Sequence, residues 1–379
     1  MNLIHRHIFA NVVLTCAASV GFFAFVLLLG NVLKDLLGHV LAGQLSWEIV
    51  AYLIALTFPV VVSYALPMGM LAGVLLVLGR MSADREITAL RAAGLSVAWL
   101  SAPILFCSVL GVALTLAINF QFMPLAKVAY ETELANAIRQ NPLSFIVPKT
   151  FIREFPGYVL YAGGKKETVL QDFWLWELDS KNRVKRSIRA GTGRVDFDEN
   201  KRTLVLTLHH VQAELRNDKD PENFSEERGA ASSDEASFTL PLEKIASTGI
   251  VHVKQKWLTF GQLLQEWRKA DQAGNGLSRD EREQQKMRVQ ITIHEKFATA
   301  FSVLSFTLVA VPLGIKISRK ETSANLGIGL ALAMIYYFAT IVVGWLDNQT
   351  ALRPDLLMWL PNVVFQSLGL WMFYRIDRH

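Results

Sequence analysis

Only two cysteines occur in 379 residues, Cys16 and Cys107, and each sits inside a long apolar run. That excludes a disulfide framework and a cysteine-ligated metal; both read as small buried hydrophobes. A nucleotide loop is missing as well. The nearest string, Gly163-Gly164-Lys165-Lys166, lacks the hydroxyl residue after the lysine and a glycine at the right distance before it. It reads as a charged hairpin turn. No Gly-x-Ser-x-Gly, His-Glu-x-x-His or paired intramembrane aspartate supports hydrolysis in or on a membrane. His209-His210 has no second ligand pair at metal spacing and reads as a surface pair at a strand end. No catalytic or metal-ligating set emerges.

Charge is the scarcest ingredient, at 19% against 52% apolar residues, and its distribution decides the class. Charge-free windows run from Ile8 to Leu33, Ile49 to Gly79, Ala92 to Ala126, Phe297 to Ile315, Thr322 to Leu346 and Leu356 to Tyr374. Each matches or exceeds the ~20 residues that carry an α-helix across hydrocarbon. A soluble helix rarely stays charge-free that long, because one face must meet water. A signal-peptide core spans ~7–15 residues, whereas the first window continues to Leu33, so it reads as a span. The second window would reach about 46 Å as a straight helix. Pro59, Pro67 and Gly69 either kink it or leave one end protruding.

Lysine and arginine in short loops set orientation. Arg6, the turn with Arg80, Arg85 and Arg91, the turn with Lys316, Arg319 and Lys320, and Arg375 with Arg378 fall on one side. The opposite short loops offer only Lys34 and Arg353. Both termini are therefore expected in the cytoplasm, and the long stretch between windows three and four outside. The net charge of +5 then reflects topology. No basic run with interleaved aromatics points to nucleic acid.

The outside stretch alternates with period two at 158–161, 173–178, 193–197, 204–208 and 237–240, the pattern of strands in an antiparallel sandwich or barrel. Asp179 to Asn182 and Asp198 to Lys201 carry turn chemistry. Arg216 to Glu235 is polar and reads as a loop. Gly261 to Arg268 reads as a short amphipathic helix, and Asp271 to Arg288 as a charged linker or helix. Phe173 and Leu175 share one strand face, Trp174 and Trp176 the other; Leu204, Leu206 and Leu208 form a second apolar row. This surplus apolar surface suggests either a groove that takes up acyl chains, with Trp174, Trp176 and Leu206 as candidates, or a face packed on a neighbouring domain or the membrane. Lys34 and Lys296 lie at the ends of apolar windows, as snorkelling anchors or as contacts to an anionic lipid headgroup.

Between windows two and three, Ser82 or Asp84 can cap a short helix and Gly94 suits its C′ position. Ile87, Leu90 and Gly94 then share one face, on a helix lying across the membrane surface with its charges free to meet a partner.

Leu78-Gly79-Arg80-Met81 with Asp84-Arg85-Glu86-Ile87-Thr88-Ala89-Leu90-Arg91-Ala92-Ala93-Gly94-Leu95-Ser96 resembles the signature of the lipopolysaccharide-export permeases, the LptF/LptG or YjgP/YjgQ family, with a lean to the LptF type. His294-Glu295-Lys296-Phe297-Ala298, Val311-Pro312-Leu313-Gly314-Ile315 and Trp359-Leu360-Pro361-Asn362 match in order. The polar stretch Arg216 to Glu235 does not fit the pattern.

The resemblance implies a half-transporter of the Gram-negative inner membrane. Its fold is a polytopic α-helical membrane protein with six transmembrane helices, three and three, and an inserted all-β jelly-roll-like periplasmic domain. Residues 1–126 hold crossings one to three with a coupling helix at about 82–93, residues 127–290 the β domain and linker, and residues 291–379 crossings four to six. A second permease of the family, a cytoplasmic ATPase dimer of the LptB type and a single-span bridge protein of the LptC type are the implied partners. Lipopolysaccharide is the implied cargo. ATP and magnesium sit on the ATPase, with no cofactor in this chain. Asp84, Arg85, Glu86, Leu90 and Arg91 form the implied coupling surface, with Glu86 as the acidic contact. The rival reading is a membrane-anchored sensor or assembly scaffold with an external β ligand-binding domain.

The topology is tested by reporter fusions. A fusion at Lys181 is expected to read as external, and fusions at Lys320 or after His379 as cytoplasmic. A cytoplasmic signal at Lys181 inverts the orientation.

Overall fold

The computed structural model describes residues 3–35, 40, 45–140, 142–153, 155, 157–166, 168–179, 183–198, 203–216, 229–241, 255–271, 279–316, 322–345 and 352–377. The chain forms two compact units. One comprises Met1–Gly30, Leu56–Lys127 and Val253–His379; the other comprises Asn31–Ala55 and Val128–His252.

The first unit is an apolar helical bundle. The helices that build it, whole or in part, are α1 (Leu3–Asp35), α2 (Trp47–Ala83), α3 (Glu86–Ala92) and α4 (Val97–Ala117), which continues through a π-helical turn (Ile118–Phe122) into α5 (Met123–Gln140), most of which lies in the second unit beyond Lys127. After the β strands come α6 (Phe260–Asp271), α7 (Arg279–Lys316), α8 (Thr322–Gly344), α9 (Pro354–Leu357) and α10 (Leu360–Asp377). Among the described residues, five segments are long and apolar enough to cross a membrane: Leu3–Gly30, Trp47–Ala83, Val97–Ile138, Arg282–Lys316 and Pro354–Ile376. The remaining expected crossing falls on α8, with the shorter apolar stretch Gly329–Gly344. Phe22, Phe25, Phe106, Met334, Phe338 and Trp371 stand exposed on these helices, as side chains facing lipid do.

The bundle is drawn together by small residues. Apolar helices in lipid gain little from hiding apolar surface from one another, so close backbone approach supplies the attraction. Gly69 and Gly73, four apart on α2, meet α1: an added Cβ would lie 2.6 Å from Cα of Val20 and 2.7 Å from Cα of Cys16. Gly369 of α10 does the same to the backbone of Leu308 on α7, at 2.8 Å. Ser302, Val303, Ser305, Phe306 and Val309 are buried, placing α7 in the interior.

Helix α2 keeps Pro59 and Pro67 within one 37-residue helix. Its excess length extends at the N-terminal end, where residues up to Ala55 belong to the second unit. The charged stretch before the fourth crossing is likewise helix from Arg279 onward, continuous with α7. Residues 272–278 lie outside the described set.

The second unit contains one antiparallel sheet of β1 (Phe151–Ile152), β2 (Tyr158–Lys166), β3 (Val169–Leu178), β4 (Val184–Asp198), β5 (Thr203–Leu215) and β6 (Gly229–Pro241), neighbours following chain order. The described strands make a simple meander; no Greek-key crossing occurs among them. One face, including Leu160, Phe173, Leu175, Ile188, Val195 and Leu208, packs with Phe145, Ile146, Ala137, Val50 and Leu53.

A transverse crease crosses this sheet. Gly163, Asp172, Gly191, His210 and Asp234 drop out of the ladders one per strand, and pairing resumes without a register shift. Asp172 and His210 take positive φ, 47° and 54°. The inward rows therefore step by three across it, from Leu170 to Phe173 and from Leu208 to Val211, and both halves line one core. Two readings change as a result. Gly163 to Lys166 is strand rather than turn, with Gly163 on the crease facing Asp172. The His209-His210 pair stands mid-strand on the exposed face rather than at a strand end.

The expected loop Arg216 to Glu235 is corrected in part. Residues 217–228 lie outside the described set, but β6 begins at Gly229. Its exposed serines and acids carry no apolar alternation; pairing with β5, from Leu215↔Gly229 to Thr203↔Pro241, makes it a strand. Polar residues suit such an edge strand.

Gly73→Leu is expected to lower the unfolding midpoint of the detergent-solubilised chain by the equivalent of about 1–3 kcal/mol, the usual cost of overpacking. Gly21→Ala, where an added Cβ meets nothing within 4 Å, should leave it unchanged. Equal midpoints for both would show that α1 and α2 are not held by this contact.

Candidate functional site

The interior of the bundle carries a polar node built on α7. Lys296 is only 6% exposed. Its Nζ donates to the carbonyl of Asn119 at 2.7 Å and to that of Leu258 at 3.3 Å, and lies 5.6 Å from the Phe120 ring centroid. Snorkelling is thereby excluded for this lysine. Asn119 and Phe120 belong to the π-helical turn, where a widened hydrogen-bond pattern turns a carbonyl aside from the helix. The Asn119 side chain completes the node: its Nδ2 donates to the Lys296 carbonyl at 3.1 Å, and its Oδ1 accepts from Ser63 Oγ of α2.

Beside the node lies a cavity of about 840 Å³, lined by Tyr64, Lys256, Trp257, Glu295, Ile341 and Trp345 among others. Ile341 and Trp345 are 54% and 73% exposed and leave it open on one side. Lys256 and Glu295 pair at 3.1 Å, and Arg288 also contributes to the lining. A second, mostly apolar cleft of about 560 Å³ lies among α1, α2 and α8, with Ala18, Ser19, Ala72, Gly327 and Gly329 in its walls.

The short sequence strings acquire physical roles here. His294 Nδ1 accepts from Trp359 Nε1 at 2.9 Å. The Ala298 carbonyl accepts from Asn362 Nδ2 at 2.9 Å and from the Tyr336 hydroxyl at 3.1 Å. Asn362 Oδ1 accepts from Ser305 Oγ at 2.8 Å. Gly314 abuts Leu78, and the Ile315 carbonyl accepts from Ser82 Oγ at 3.0 Å.

That last bond revises the expected helix cap. Ser82 is spent on α7, and α3 starts after Arg85, which takes positive φ (62°) with no side-chain cap. The other end is as expected. Gly94, at φ 85°, donates to the Arg91 carbonyl, and Leu95 donates to the Leu90 carbonyl, the paired bonds of a Schellman stop. Ile87 is buried and Leu90 half-buried, while Asp84, Arg85, Glu86 and Arg91 are exposed. One Arg91 nitrogen lies 3.4 Å from the Ile376 carbonyl.

In the β unit, Leu206 is 0% exposed within the core. Trp174 and Trp176 lie on the opposite face, stacked at 5.6 Å, with Arg189 4.7 Å from the Trp174 ring centroid. These three candidates thus occupy two faces, and only the tryptophans meet each other. Lys34 falls in α1, but its side chain lies outside the described set. Ser63, Asn119, Lys256 and Glu295 were not singled out as site residues from sequence. The available signal was an asparagine within a charge-free window.

These features define a polytopic membrane protein of the permease type: lipid-facing helices around polar ties, an open cavity with a charged rim and a β insertion. The sequence matches the family described as lipopolysaccharide export system permease LptF/LptG over residues 6–375, and the chain belongs to that family. Comparison with curated proteins gives no match. The chain is accordingly an inner-membrane permease of lipopolysaccharide export that works with a permease partner in that system.

Asn362→Ala removes the donor to Ala298 and the acceptor of Ser305. A loss of about 1–3 kcal/mol is expected from the groups left unpaired, read as a lower unfolding midpoint in detergent. An unchanged midpoint would show that this tie adds nothing to bundle stability.

Proposed function

We propose that this chain is one half of an ATP-driven extractor that lifts lipopolysaccharide from the outer leaflet of the inner membrane. The observation that supports this most directly is the 840 Å³ cavity with a charged rim and apolar walls in a chain of this family. An ion pair as exposed as Lys256–Glu295 is worth at most about 1 kcal/mol, so a lipid phosphate displaces Glu295 from Lys256 at small cost. Acyl chains lie along Ile341 and Trp345, on the open side. Lys34, at the end of α1, contacts an anionic lipid headgroup.

The apolar cleft among α1, α2 and α8 receives the second permease, whose helix fits against its small residues. The exposed charges Asp84, Arg85, Glu86 and Arg91, with Leu90 beneath them, meet an LptB-type ATPase dimer on the cytoplasmic side. That ATPase carries the nucleotide and magnesium. Both termini are cytoplasmic and the β unit periplasmic. There the polar edge β6 adds an LptC-type β domain by strand pairing. The buried row of Leu206 takes acyl chains when the unit opens. Trp174 and Trp176, on the outer face, stand off that path.

The test is a photo-crosslinking residue in place of Ile341, in cells making lipopolysaccharide. A lipid adduct that depends on ATP is expected, and Glu86→Lys should abolish its ATP dependence while leaving the chain folded. Adducts to protein alone would turn the cavity into a docking surface and favour the scaffold reading.

A further inference from the structure

Four chain positions join the membrane unit to the β unit, one of them in α1 at Gly30–Asn31; the other three share one feature. Helix α2 passes between the units at Ala55–Leu56, the α4–α5 helix leaves at Lys127, and the chain returns at Val253. Shortly after its crossing, α2 presents Ser63, which donates to Asn119 Oδ1. Shortly before its own, the outgoing helix presents Asn119, whose carbonyl accepts from Lys296 Nζ at 2.7 Å. Shortly after the return, Leu258 presents a carbonyl to the same Nζ at 3.3 Å. One buried ammonium on α7 therefore holds the outgoing and returning chains directly, and α2 through Asn119.

The chemistry of this clamp is unusual for packing alone. Glu295, the neighbouring carboxylate, pairs with Lys256, and no ion pair to Lys296 occurs among the described residues. A buried cation costs several kcal/mol in a low-dielectric interior unless well compensated, and a neutral donor would join two carbonyls more cheaply. The charge strengthens each bond to a carbonyl and lets the ammonium shift between acceptors through its three donors. The acceptor from the outgoing chain sits in a π-helical turn, an element that can move within a helix without breaking it.

We infer that Lys296 is a positioning residue: it ties α7 to three of the four connections, so that a displacement of α7 reaches both ends of the β insertion together. Its consequence for transport rests on the permease reading above; the mechanical part does not.

The experiment uses the full chain with its co-purifying partners in nanodiscs. Cys16 and Cys107 are replaced by alanine, and spin labels are placed at Thr88 and Gln212, one in each unit. Pulsed electron resonance should give a distance distribution whose width at least doubles in Lys296→Met and in Asn119→Ala, while Lys296→Arg retains most of the parent width. Lipid released per ATP hydrolysed should fall about tenfold, within the usual range of coupling energies, with hydrolysis itself persisting. Ser63→Ala, the mildest change, is the second variant should Lys296→Met fail to fold. Unchanged widths in Asn119→Ala and Ser63→Ala, with only a lower unfolding midpoint, overturn the inference and leave a packing node. Broadened widths in a parent complex that releases no lipid would uphold the clamp and remove the permease reading.

Discussion

An ammonium group enclosed by apolar helices must find acceptors there, and Lys296 finds them because α4 abandons α-helical bonding at the π-helical turn. Much of the bundle follows from that constraint. The turn points the Asn119 carbonyl at α7, the Asn119 side chain reaches back to Ser63 and to the Lys296 carbonyl, and the re-entering chain is held at Leu258. The same logic governs the far side of α7, where Ala298, Ser305, Tyr336 and Asn362 satisfy one another. In hydrocarbon such groups have no water to fall back on, so these polar side chains tie neighbouring helices, while others such as Ser101, Thr115 and Thr307 bond back to their own helix.

Between these ties the helices approach through glycine, and stability and motion are separated in space. Gly69, Gly73 and Gly369 press backbones together where α1, α2, α7 and α10 pack. The charged rim of Lys256 and Glu295, by contrast, is solvent-screened and readily exchanged. Helix α3 belongs to the second kind of surface: Ile87 anchors it, the Gly94 stop ends it, and its charges remain exposed. A short helix with one buried side chain and a defined end moves with the bundle while offering its outer face to another protein.

Composition and periodicity reach far into this structure. The long charge-free windows fall on helices, the alternating segments fall on strands, and Gly94 ends α3 as its position suggested. Legibility stops where partners are distant in the chain. Ser82 looked like a cap because capping is local, yet its hydroxyl goes to Ile315. Ser232, Ser233 and Glu235 looked like loop because nothing around them alternates, yet β5 supplies their partners. Lys296 looked like an interfacial anchor because it ends an apolar window, yet α6 follows the segment that covers it and Asn119 approaches from another helix. The crease is invisible for a related reason. An offset of one residue per strand means something only when five strands share it.

What the sequence determined by itself is the class of environment each segment must occupy, since a run without charge and a strand with one apolar face each have few solutions that leave no polar group stranded. Membership of the permease family was legible in short strings, and those around His294, Gly314 and Asn362 make contacts between helices. Tertiary structure alone decided which polar groups meet inside. Asn119, Ser63 and Leu258 are spread over 195 residues of sequence, and no local rule joins them. They come together because a buried charge accepts only a conformation in which carbonyls are brought to it.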